Sequence, residues 1–182
     1  TYDSVKYYKG IIRAGMMSID PHNGYVKSWV GGPNFKHFKY DMVKKGTRQV
    51  GSTFKPFVYA TALESGIVDP CYEVPDIEYC IEVPHTETRN KLWCPKNSGD
   101  RYTGMRTLKN ALANSVNTIS ARLIDKVGPG PISKLAKDLG ISSDIPNVPS
   151  IALGTADLSV YEMVAAYGAF ANQGIYVKPV MV

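Results

Sequence analysis

Ser52 and Lys55 stand three residues apart in the stretch RQVGSTFKPFVYATAL, residues 48–63, where an apolar run begins that reads as a helix. Residues three apart share a helix face, so hydroxyl and amine come within reach of each other. A serine hydroxyl is a weak nucleophile until a base takes its proton. A lysine is such a base only when neutral, which demands desolvation or neighbouring positive charge. Phe54 and Phe57 to Tyr59 offer the desolvation. The free N–H groups and dipole of a helix start favour negative charge on the serine oxygen or on an attacked carbonyl. About one Ser-x-x-Lys match is expected by chance in a chain of this length. The plain alternative is an N-cap serine followed by a solvated lysine.

A second pair alters the balance. Ser115-Val116-Asn117 is the only Ser-x-Asn in the chain and falls on a break between two helical stretches. A second hydroxyl beside an amine can relay a proton to a leaving group, and an amide can orient a substrate amide through its paired donor and acceptor. Capping is again the alternative, with Asn117 as N-cap and Ser115 in the turn.

The elements that must position these groups are legible in outline. Residues 11–31 read as a hairpin: an apolar segment to Asp20, the turn Pro21-His22-Asn23-Gly24, and the alternating YVKSWV before Gly31-Gly32. Residues 33–50 are polar and irregular. The nucleophile helix runs from Ser52 to Ser65 and stops at Gly66. Residues 67–104 hold prolines at 70, 75, 84 and 95 and all three cysteines, and carry short strands at most. A helical cluster over 107–172 follows: 107–113, 117–126, 131–139 with Pro131 in its first turn, and a last helix to Ala171. That last helix opens with the capping box Ser159-x-x-Glu162 and stops at Gly174. Strand character returns from Tyr176. The order is that of an α+β domain with an incomplete sheet. No internal repeat or low-complexity segment is present.

With 182 residues, 44% hydrophobic and 20% charged, the chain is of ordinary globular type and long enough for a real core. A net charge of +5 without a basic stripe gives no reason to expect nucleic acid. The densest basic patch, Lys44, Lys45 and Arg48, reads as a solvated loop or as a positive potential beside a site. No apolar run is long enough to span a bilayer, and Thr1 opens no signal peptide. Without an initiator Met, the chain reads as a piece of a longer protein. Cys71, Cys80 and Cys94 fit no zinc spacing, and His85 is the one imidazole near them. They allow three pairings with one thiol left over, or three buried thiols in a reducing compartment.

Taken together, these segments resemble the transpeptidase domain of the class A, bifunctional penicillin-binding proteins, whose signature set comprises S-x-x-K, a Ser-x-Asn element and K-T-G. RQVGSTFKPFVYATALESG resembles their nucleophile segment, and GMMSIDPHNGYVKSWVGG the hairpin that opens the domain. WCPKN followed by TLKNALANSVNT resembles the approach to the second motif, and IALGTADLSVYEMVAAYGAFANQGIYVKP the helix–strand segment after it. The resemblance covers nearly the whole chain from about Asp3, in order. It implies a partial penicillin-binding (serine β-lactamase-like) fold, one partial domain over 1–182, with antiparallel strands beside a helical cluster. It also implies a serine acyltransferase acting on peptidoglycan stem peptides that end in D-Ala-D-Ala. Ser52 would attack, Lys55 would take its proton, Ser115 would relay a proton to the leaving D-Ala, and Asn117 would hold the substrate amide. The backbone N–H of Ser52 would be one oxyanion donor. β-Lactams would acylate the same serine. No metal or cofactor is implied. The location implied is extracytoplasmic, with a membrane anchor and a glycosyltransferase domain outside this chain.

The K-T-G element is absent from the sequence. Lys45-Gly46-Thr47 has its letters in the wrong order and precedes the nucleophile. In the family that element lies on a later strand of the core sheet, so the 182-residue chain alone is expected to be inactive. A serine β-lactamase or β-lactam sensor would share both motifs but would need a carboxylate to activate water. Glu162 and Asp157 are the nearest downstream candidates, and a capping box and a loop explain them better. A non-catalytic interaction fragment is the remaining alternative, against which the intact Ser52, Lys55, Ser115 and Asn117 argue.

Overall fold

The computed structural model describes residues 2–83 and 91–182, so Pro84 and His85 lie outside the described residues. The chain forms two compact units: Thr1–Arg48 with Leu139–Ile141 and Leu158–Val182, and Gln49–Asp138 with Ser142–Asp157. In chain order the elements begin with helix α1 (Tyr2–Gly10), strands β1 (Met16–Ile19), β2 (Val26–Val30) and β3 (Thr47–Gln49), and helix α2 (Lys55–Glu64). Strands β4 (Glu73–Asp76), β5 (Ile81–Val83), β6 (Lys91–Trp93) and β7 (Gly104–Thr107) follow. Helices α3 (Leu108–Ala113), α4 (Asn117–Val127) and α5 (Pro129–Asp138), strand β8 (Asp157–Ser159) and helix α6 (Val160–Ala171) complete the order. Short β3 and β8 carry the chain from one unit to the other.

The first unit holds the expected hairpin. β1 and β2 pair antiparallel from Met16↔Val30 to Ile19↔Val26, with a bulge after Ser18. Asp20 organises the turn. Its side chain accepts from the His22 N–H at 3.0 Å and the Asn23 amide at 3.0 Å, and its carbonyl accepts from the Gly24 N–H at 2.8 Å. α6 packs on β1 and opens with the expected capping box. From Tyr176 onward the chain makes a single bridge, Tyr25↔Val180, in place of the strand read from the sequence. Pro179 has no N–H to extend a ladder. α1 was not legible beforehand: residues 2–7, 9 and 10 lie exposed, with no apolar stripe to betray a helix.

The second unit is built around α2. This helix packs against α4 and α5, and Phe57, Val58 and Ala62 of α2, Ile119, Leu123 and Ile124 of α4 and Ile132 of α5 are all at most 1% exposed. Antiparallel pairs β4–β7 and β5–β6 fill the excursion, and Cys80–Cys94 form a disulfide that leaves Cys71 free and exposed. That resolves the three pairings open in the sequence.

The expected helix from Ser52 starts differently. Gly51–Phe54 form a 3-10 turn, and α-helical geometry begins at Lys55 with Pro56 in the first turn, where its missing N–H costs nothing. The turn is pinned by the segment after a second 3-10 stretch, Pro149–Leu153. The Gly51 N–H donates to the Gly154 carbonyl at 3.0 Å, and the Val50 N–H to the Ala156 carbonyl at 3.2 Å. Gly154 has φ +72°, and a Cβ added there would lie 1.9 Å from the Gly51 oxygen. No side chain fits so close an approach. Gly154→Ala is therefore expected to cost at least the ~1–2 kcal/mol of a left-handed alanine, plus the backbone displacement. Thermal denaturation should show a melting temperature several degrees lower; an unchanged value would show that the two glycines are not in contact.

Candidate active site

Ser52 sits exposed on the 3-10 turn. The turn's N-cap is Val50 and that of α2 is Phe54, neither with a side-chain capping bond. The reading of Ser52 as a plain cap therefore has no counterpart in the structure. Its backbone carbonyl accepts from the Lys55 N–H, which ties the two residues into one turn.

Lys55 is 1% exposed. Phe54 and Phe57 stack at 5.0 Å between ring centroids beside it. Burial lowers its pKa from 10.5 to about 8, because the low-dielectric surroundings disfavour the ammonium form. The sequence expectation of a desolvated amine is met. Its Nζ donates to the Ser115 carbonyl at 2.6 Å, to Ser115 Oγ at 2.9 Å and to Asn117 Oδ1 at 2.6 Å. Residues far apart in the chain thus converge on one nitrogen.

The break between α3 and α4 makes this possible. Val116 and Ser115 donate their N–H groups to the carbonyls of Ala111 and Leu112, which closes α3. Ser115 then adopts φ +54°, a left-handed conformation uncommon for a residue with a side chain. Val116 is extended and 6% exposed, an apolar anchor between two polar residues. Across an extended residue, the side chains before and after point the same way. Ser115 and Asn117 therefore both face Lys55. The N-cap of α4 is Val116, so Asn117 is not the cap that the alternative reading required. Its amide is oriented at both ends: Oδ1 accepts from Lys55, and Nδ2 donates to the Lys96 carbonyl at 2.8 Å.

All four sequence-singled residues thus lie in the second unit, and three of them share hydrogen bonds. Sequence reasoning missed the groups behind them. Asn97 Oδ1 accepts from the N–H groups of Asn117 and Thr118 at 3.0 and 3.2 Å. Gly154 receives the Gly51 N–H. No local pattern marks either residue, since each acts across the fold. Glu162 is committed elsewhere: its carboxylate accepts from the Ser159 N–H at 3.0 Å and the Ser159 hydroxyl at 2.8 Å, within the cap of α6.

Comparison with known proteins gives the family. The penicillin binding protein transpeptidase domain model matches residues 14–182. Penicillin-binding protein 1A of Neisseria meningitidis serogroup A is 36% identical over 169 residues, covering 92% of this chain and 21% of that protein. Penicillin-binding protein 1A of Aquifex aeolicus is 33% identical over 168 residues, with 92% and 22% covered. The chain therefore spans about a fifth of these relatives' length. The crystal structure of penicillin-binding protein 1A from Haemophilus influenzae superposes with a TM-score of 0.85 at 32% identity, over 92% of this chain and 24% of that one. The PonA1 protein of Mycobacterium tuberculosis, solved in complex with penicillin V, gives a TM-score of 0.76 at 28% identity, over 98% and 49%. With the family model matched from residue 14 to residue 182, the chain belongs to the penicillin-binding protein transpeptidase domain family.

Proposed function

We propose that this chain supplies the acylation centre of a peptidoglycan D,D-transpeptidase of the class A type, an extracytoplasmic enzyme and a covalent target of β-lactams. The observation that carries the reading is the buried Lys55 amine, held by Ser115 and Asn117 one helical turn from Ser52. Among the described residues no helix is long and apolar enough to cross a membrane, so any anchor belongs to another part of the protein in this reading.

The partners of Lys55 support an ordered proton path. An ammonium has three N–H donors, and three acceptors surround this one. A neutral amine has two donors and a lone pair. The Ser115 carbonyl and Asn117 Oδ1 can only accept, so they keep the two N–H bonds. The Ser115 hydroxyl can donate as well as accept, and it alone among the three can turn to serve the lone pair. In the proposed cycle the Ser115 hydroxyl turns off the lone pair, and the neutral Lys55 takes the Ser52 proton on it as Oγ bonds to the penultimate D-Ala carbonyl carbon. The resulting ammonium meets all three acceptors. It then returns a proton to Ser115 Oγ while the Ser115 hydroxyl proton passes to the departing D-Ala nitrogen, and the C–N bond breaks. An amine of a second stem peptide attacks the Ser52 ester by the reverse path and forms the cross-link. Asn117 keeps its amide oriented toward a substrate amide throughout.

Two measurements on the full-length protein test this. Labelled penicillin followed by peptide mapping should place one adduct on Ser52, stable over the time of the experiment; rapid loss of the adduct would favour a lactamase, and labelling elsewhere would refute the nucleophile. The 182-residue chain alone has no K-T-G element and should stay unlabelled. The acylation rate should rise with pH through about 8, since the neutral amine is the base and its proton leaves there. Lys55→Ala should slow acylation by ~100- to 10,000-fold, the span of general-base effects, and flatten that limb. A Lys55→Ala protein that acylates at the normal rate removes Lys55 from the role.

A further inference from the structure

Asp76, at the end of β4, is a carboxylate 1% exposed that the proposed cycle does not use. Among the described residues only donors face it. Oδ1 accepts from Asn97 Nδ2 at 2.6 Å and from Thr118 Oγ1 at 2.7 Å. Oδ2 accepts from the Thr103 N–H at 3.1 Å and the Thr103 hydroxyl at 2.8 Å, with Arg106 Nε at 3.7 Å. Burial pushes its carboxyl up, yet the bonds from Thr118, Thr103 and Asn97 outweigh that and hold it below the usual carboxylate range.

Asn97 is what links this carboxylate to the site. α4 begins with N–H groups that have no helical partner, and its N-cap, Val116, has no side chain that can accept from them. Asn97 Oδ1 supplies the missing acceptor from a different segment, taking the N–H groups of both Asn117 and Thr118. An asparagine amide can face either way. Here Asp76 sets the direction together with the Arg101 carbonyl, because both accept only, and so draw Nδ2 and turn Oδ1 to the helix. The neighbouring Lys96 carbonyl holds the Asn117 side chain from the same segment.

We propose that Asp76 is a positioning residue for the catalytic turn: its carboxylate orients the Asn97 amide, and Asn97 thereby holds the start of α4 where Ser115 and Asn117 embrace Lys55. This rests on the reading of Ser115 and Asn117 as groups of the acylation site.

Exchanging the two side chains discriminates this role from plain stability. In Asp76→Asn an amide nitrogen must face either the Asn97 nitrogen or the Thr103 donors, and if Asn97 turns to suit, its own nitrogen faces the two helix N–H groups. In the exchange Asp76→Asn with Asn97→Asp, the new amide at 76 donates to the new carboxylate at 97. That carboxylate accepts both helix N–H groups, with the net charge unchanged. The Arg101 carbonyl, which Asn97 Nδ2 also meets at 3.0 Å, loses its donor, the Thr118 hydroxyl must turn to accept from the new amide, and Arg106 loses its carboxylate neighbour.

Two readouts are needed, on the full-length protein and on the chain. The acylation rate constant of labelled penicillin, taken on the fraction that labels, should fall ~10- to 100-fold in Asp76→Asn and recover most of that loss in the exchange. Hydrogen exchange at the Asn117 and Thr118 amides of the chain should accelerate in Asp76→Asn and slow again in the exchange. If Asp76→Asn does not fold, Asn97→Ala carries the same expectations for rate and exchange. A wild-type rate in the single variant, or an exchange variant that melts like wild type yet stays slow, would overturn the proposal. So would unaltered amide exchange in the single variant. If wild-type protein takes no label at Ser52, the acylation reading fails, while the amide exchange still decides whether Asp76 and Asn97 hold the turn.

Discussion

A lysine amine is buried at 1% exposure with all its partners supplied by one turn of another segment, and the second unit is arranged around it. Its charged form is unwelcome there. With the pKa moved from 10.5 to about 8, the ammonium costs the fold about 3 kcal/mol below pH 8. The sign follows from proton counts: between pH 8 and 10.5 the unfolded chain keeps a proton that the folded chain sheds, so stability rises with pH across that window. A protein bears such a burden where the amine's basicity is needed near neutral pH.

The surrounding structure reads as the means of holding that amine. α2 buries Lys55 by placing it on the face that packs α4 and α5. The turn between α3 and α4 delivers three oxygen acceptors, and it can do so because Ser115 takes a left-handed conformation while Val116 is anchored in the core. Two glycines in close contact, Gly51 and Gly154, secure the turn that carries Ser52. Asp76 and Asn97 do the corresponding work at the start of α4. Each device is polar, long-range in sequence, and short in space.

That explains which parts were legible in the sequence. The hairpin, the capping box at Ser159, the stop at Gly66 and the break at Ser115 are local patterns, and each appears where its residues place it. Ser52, Lys55, Ser115 and Asn117 could be singled out by residue type and spacing, and the structure brings Lys55, Ser115 and Asn117 together. Asn97, Asp76 and Gly154 could not, since nothing in their neighbourhood tells which distant N–H or carbonyl they will meet. α1 lacks an apolar face, and Pro179 interrupts the strand read from Tyr176. The cysteine pairing followed only once β5 and β6 were seen to bring Cys80 and Cys94 together.

The central claim is that Lys55 is desolvated enough to act as a base near neutral pH, and its own titration tests that most directly. Carbon-13 labelling of lysine Cε, with Lys55 assigned by its absence in Lys55→Arg, would follow the amine by NMR across the alkaline range. The account predicts a midpoint near 8, well apart from the exposed lysines. A midpoint at the ordinary lysine value near 10.5 would contradict it.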